Sequence, residues 1–80
     1  MDLKLVGEAI EGTRQSLDAA GYSVDCRNQE DRLILVVKPR ADACEDCLVP
    51  KEVMASIVDG ELREKGIVVG GIDIVYPVDL

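Results

Sequence analysis

Eighty residues leave room for one core and no second domain, and 16 Asp plus Glu against 9 Lys plus Arg give a formal charge of −7, the wrong sign for gripping a phosphate backbone or an anionic membrane surface. No apolar run approaches the ~20 residues of a spanning helix, so neither nucleic acid nor membrane is an expected partner. The chain has no Phe or Trp, only Tyr22 and Tyr76, and no His, which leaves a Val, Ile, Leu and Ala core and removes Ser-His-Asp triads, Cys-His nucleophiles and His-containing zinc sites.

The N-terminal Met1-Asp2-Leu3-Lys4 lacks the basic region and apolar stretch of a signal peptide. Three cysteines, Cys26, Cys44 and Cys47, are an odd number, which fits a reducing compartment better than an extracellular disulfide framework. Cytoplasmic residence is the expectation.

Residues 3 to 20 set Leu3, Val6, Ile10, Thr13, Leu17 and Ala20 three and four apart, the stripe of one amphipathic helix that Gly21 ends. From Tyr22 to Arg27 the period changes to two, with Tyr22, Val24 and Cys26 on one face of a half-buried strand. Cys26 therefore reads as a small buried hydrophobe rather than a ligand. Asn28-Gln29-Glu30-Asp31 supplies a turn, and Leu33 to Val37 is apolar at every position. Such a run predicts a central strand covered on both faces, or covered by helices on one and by a partner subunit on the other. Lys38 to Ala43 read as a loop, because Pro39 has no amide hydrogen to donate.

Pro50 stands where a first helical residue belongs, and Val53, Met54, Ile57, Val58 and Leu62 form the stripe of a helix from about Pro50 to Lys65. Gly60 inside it admits close packing, and Gly66 ends it. Ile67-Val68-Val69 and Ile72 to Tyr76 flank Gly70-Gly71 and read as one strand interrupted by a bulge. The order is α-β-β-α-β, an α+β domain over residues 1–80 in which a helical crossover returns the last strand to a three-stranded mixed sheet.

Cys44-x-x-Cys47 lies between the apolar strand and the second helix. Two thiolates at this spacing turn toward one point and can chelate a metal ion or part of a cluster. The positive end of the helix favours thiolates there; Asp42, Glu45 and Asp46 raise their pKa, and Arg40 and Lys51 offset part of that. One pair supplies two ligands where tetrahedral zinc or a cubane cluster needs about four, so a second chain or an outside ligand must complete the site. Dithiol redox chemistry uses the same spacing, although only 33 residues follow Cys47, too few for what a thioredoxin-like fold adds beyond its active-site helix.

With these residues in place, the chain resembles the C-terminal domain of the NifU-like proteins. An amphipathic helix, a strand opening near Gly21 and Val24, a hairpin, an apolar strand, Ala43-Cys44-Glu45-Asp46-Cys47, a helix with Ile57 and Leu62 and a final Ile/Val strand follow that family's order over nearly the whole sequence. The resemblance implies that Cys44 and Cys47 bind an iron-sulfur cluster, of the four-iron four-sulfur (4Fe-4S) type, shared across a homodimer. It implies a scaffold or carrier that exchanges clusters with donor and recipient proteins and is not an enzyme. Zinc at the same pair is the alternative metal. A reading of another class is a small protein-binding or regulatory module with unoccupied cysteines, presenting Leu48, Val49, Val78 and Leu80 as an apolar patch.

Overall fold

The structure is a computed structural model, and it describes residues 2–44 and 48–77. Its elements run α1 (Leu3–Ala9), α2 (Glu11–Ala19), β1 (Tyr22–Gln29), β2 (Arg32–Pro39), α3 (Lys51–Glu64) and β3 (Gly71–Val75). The class is α+β, with a three-stranded mixed sheet and helices packed on one face.

The expected first helix is two helices. Val6, Ile10, Thr13 and Leu17 are all buried, as the stripe predicts, and the hydrogen-bond ladder continues through Ile10 to Val6 O and from Arg14 to Ile10 O. Ile10 nevertheless leaves helical geometry at φ −96, ψ 22. Gly7 and Gly12 flank the kink with weak helix propensity. Asp2 caps α1, its Oδ1 accepting from Lys4 N at 2.9 Å, whereas the N-cap of α2 is Ile10 and gives no side-chain bond. Glu61 of α3 supplies that cap: its carboxylate accepts from Thr13 N (3.4 Å) and from the buried Thr13 hydroxyl. A carboxylate at this position satisfies an otherwise orphan amide and sits favourably in the helix dipole.

β1 and β2 form the predicted antiparallel hairpin, closed by Glu30-Asp31 with Gln29 opposite Arg32 and Glu30 at φ 56. β2 is the central strand and pairs in parallel with β3, as the crossover predicts. Leu33, Leu35 and Val37 enter the single core with Ile72 and Ile74 of β3 and Tyr22, Val24 and Cys26 of β1. Ile34, Val36 and Val75 lie on the opposite face by alternation, flanked by the ion pairs Arg32–Asp73 (2.7 Å) and Lys38–Asp25 (2.6 Å). Helices therefore cover one face of the sheet, and charged side chains flank the apolar residues of the other.

Three strand limits differ from expectation. β1 runs on through Asn28 and Gln29, read in the sequence as turn residues, which pair with Leu33 and Arg32. β2 runs through Lys38 and Pro39, with Pro39 opposite Tyr22. Arg40 N donates to Gly21 O at 2.8 Å, so by alternation the main-chain groups of Pro39 face the β3 side. There β3 pairs no further than Val36, and the missing amide breaks no ladder bond. At the other end, residues 67–69 lie outside the sheet. Gly66 at φ 72 closes α3 in a Schellman motif, Gly66 N to Arg63 O and Ile67 N to Leu62 O, and the chain joins the sheet only after Gly70 N bonds Asp31 O.

α3 buries Met54, Val58 and Leu62, but Val53 and Ile57 are 45% and 46% exposed. Five apolar positions span a wider arc than the face the sheet covers. Pro50 is the N-cap rather than the first helical residue, and Gly60 has no neighbour within 4 Å of where a Cβ would stand, so it serves no close packing.

Candidate functional site: the cysteine loop

Cys44 lies at the end of a loop fastened to the α2–β1 junction. Ala43 N donates to Arg40 O (3.1 Å), which closes a tight turn, and Cys44 N donates to Ala20 O at 2.9 Å. Gly21 makes this docking possible in two ways. Its φ of 90 is a conformation L side chains avoid, and a Cβ there would stand 2.6 Å from Ala43 Cα and 2.7 Å from Asp42 O. The glycine read in sequence as a helix stop is thus also the seat of the cysteine loop.

The two tyrosines complete the clamp. Tyr22 Oη donates to Cys44 O at 2.8 Å, and Tyr76 Oη donates to Val49 O. Both rings are buried; burial also raises the Tyr76 phenol pKa. These are the only aromatic residues of the chain, and each directs its hydroxyl to a carbonyl on one flank of the loop. Sequence reasoning missed them. The available signal was that an aromatic-poor chain places its two tyrosines at the Gly21 junction and just past the last strand.

Arg40, expected to offset acidic charge around the cysteines, is directed to α2 instead. Its Nη1 donates to Tyr22 O (2.9 Å) and pairs with Asp18 Oδ1 (2.9 Å), while Nη2 donates to Asp18 O (2.6 Å). It caps the C-terminal end of α2 and fixes the junction on which Cys44 rests. Lys51 has its Nζ 5.9 Å from the Tyr76 ring centroid, a cation–π contact.

Of the two predicted ligand residues, Cys44 is half-buried and disulfide-bonded, while Cys47 lies outside the described residues, as do Glu45, Asp46, Val78 and Leu80. Cys26 is a free thiol, partly buried against the core, and burial pushes its pKa up. This is the environment expected of a structural cysteine. Among the described residues no group of three or more Cys, Asp or Glu is gathered to hold a metal, and no helix is long and apolar enough to cross a membrane. Beside the loop, Tyr22, Pro39, Ala41, Ala43, Leu48 and Pro77 line an open, mainly apolar groove.

Comparison with protein-family models, with curated proteins and with solved structures finds no match for this chain.

Proposed function

We propose that the chain is a non-enzymatic carrier of an iron-sulfur cluster, held as cargo by Cys44 and Cys47 of two copies and passed between donor and recipient proteins in the cytoplasm. The observation that carries this reading is the clamp. Ala20, Gly21 and Tyr22 fix the main chain at Cys44, and Tyr76 fixes it at Val49. The main chain is thereby anchored to rigid elements on both sides of the cysteine pair, the support that a ligand set needs from its scaffold. The donor set fits once reduced: two thiolates per chain, four per pair of chains, with no competing imidazole. Anaerobic reconstitution with ferrous iron and sulfide should give sulfide-to-iron charge-transfer absorption, four irons per two chains and a shift to dimer. Cys44→Ser with Cys47→Ser should abolish all three. Iron and sulfide absent after reconstitution of the reduced chain would sink the proposal.

A second reading rests on the disulfide at Cys44: dithiol–disulfide exchange with a partner dithiol. The partner's two thiols lose two electrons and two protons, and the disulfide here becomes two thiols. Repeated cycling with a small dithiol, unaffected by iron, would favour this reading over the first.

A further inference from the structure

β1 is an edge strand of eight residues, and among the described residues no strand pairs with its outer edge. Arg40 N bonds Gly21 O, so the odd-numbered residues of β1 face β2, and Tyr22, Val24, Cys26 and Asn28 turn their N–H and C=O outward. Tyr22 O is taken by Arg40 Nη1. Among the described residues the outward groups of Val24, Cys26 and Asn28 have no partner. No strand among the described residues pairs with them: the edge lines a groove of about 490 Å³ between β1 and α2, which continues past Gly7 and Glu8 of α1 into one of about 410 Å³ beside Val24, Asp25 and Cys26. Natural edges of this length are normally blunted by proline, a bulge, charged side chains or a covering helix; β1 has neither proline nor bulge, and its two charged residues, Asp25 and Arg27, are of opposite sign.

We propose that this edge pairs with β1 of a second copy of the chain, antiparallel about a two-fold axis at Cys26, joining two three-stranded sheets into one of six strands. Charge selects both the occupant and the register. Centred on Cys26, Asp25 of each copy stands directly across from Arg27 of the other. A shift to either neighbouring allowed register sets Asp25 against Asp25 or Arg27 against Arg27, and like charges directly opposite are destabilising. Arg27 is available for this pairing. Its side chain is 63% exposed and its own-chain contact with Asp25 is long, at 4.0 Å, because Asp25 is bonded at 2.6 Å to Lys38. The same register pairs Val24 with Asn28, Cys26 with Cys26 and Asn28 with Val24, so the three open residues of each copy all find backbone partners. The shorter edge of β3, at five residues, offers no comparable self-complementary pattern.

This pairing is distinct from the cluster-bearing contact proposed above. The Cys44 loops sit at the Tyr22 ends of β1, and antiparallel pairing sends those ends in opposite directions. The edge dimer therefore forms without iron and persists in a Cys44→Ser, Cys47→Ser variant, so its failure and that of the cluster reading are separable.

In that double-Ser variant, under reductant, sedimentation equilibrium between about 10 µM and 1 mM should show a monomer–dimer equilibrium, the range expected of a small interface. Amide exchange at Val24, Cys26 and Asn28 should slow as concentration rises. Diamide should link the dimer through Cys26, since Cα atoms in a hydrogen-bonded pair are about 5.5 Å apart, within disulfide range. Arg27→Asp and Asp25→Arg, each shown to be folded by circular dichroism, should each raise the self-dimer Kd about tenfold or more. Mixing the two should restore a heterodimer, in which every opposed pair is again Asp with Arg. A chain monomeric to 1 mM with no Cys26 crosslink overturns the proposal and leaves the edge to a strand of another protein. A dimer indifferent to both charge reversals overturns it as well.

Discussion

Tyr22 and Tyr76 hold the cysteine loop through hydroxyls that a phenylalanine would lack. Tyr22→Phe keeps the buried ring and leaves the Cys44 carbonyl without its donor, so denaturant unfolding should show a loss of about 1–2 kcal/mol. Cys26 makes a prediction of opposite chemical origin. Burial holds its pKa above the ordinary 9.0, so the fold favours the neutral thiol. That contribution is whole below pH 9.0 and is lost as pH rises through the folded pKa, because the unfolded chain ionises first. Cys26→Ala should therefore flatten the fall in stability above pH 9, measured by thermal unfolding along a pH series. The cysteine pair itself was legible in the sequence, since spacing within four residues needs no fold to be seen. The tyrosine clamp was not, because it depends on the start of β1 and the end of β3 meeting at one end of the sheet, a consequence of topology and register rather than of local pattern.

At the scale of elements, the helices and strands were legible wherever local periodicity decided them. They were not where a distant residue did. The stripe Val6-Ile10-Thr13-Leu17 is continuous, and the kink at Ile10 is set with a cap delivered to Thr13 by Glu61, 48 residues from Thr13 in sequence. Likewise, Pro39 reads as a breaker until the direction of its amide position is known. Gly12 makes room for the cap: a Cβ there would stand 3.0 Å from Glu61 Oε2. Glu61→Ala should cost about 1 kcal/mol as a lost N-terminal cap. Gly12→Ala should fall well short of the stabilisation ordinarily gained by Gly→Ala in a helix, because it pushes on that carboxylate. Gly60 is the control, exposed in the interior of α3 with open space around it. Gly60→Ala should stabilise by about 1 kcal/mol, a rise in Tm of about 4–8 °C for a domain of this size.

For the whole molecule, a net charge of −7 on a chain with a radius of gyration of 11.9 Å sets long-range repulsion against a few exposed ion pairs. Such pairs contribute little each, so repulsion dominates near pH 7. Raising ionic strength from about 0.01 to 0.15 M shortens the Debye length from about 30 to 8 Å and should raise Tm. Acid relieves the same repulsion as the chain approaches its isoelectric point near 4.4, but only to a limit. Hydrogen bonds from Lys38 and Arg32 hold the Asp25 and Asp73 carboxyls below their ordinary 3.8. Their contribution is present above that value and lost as pH falls through the folded pKa. Stability should therefore climb from pH 7 to a maximum at about pH 5 and drop below about pH 4. Salt should stabilise at pH 7 and lose that effect near pH 4.4, where no net charge remains to screen. A Tm at pH 7 that falls with added salt would mean instead that the ion pairs around the outer sheet face outweigh the repulsion. In that case Asp25→Asn and Asp73→Asn should each lower Tm at neutral pH.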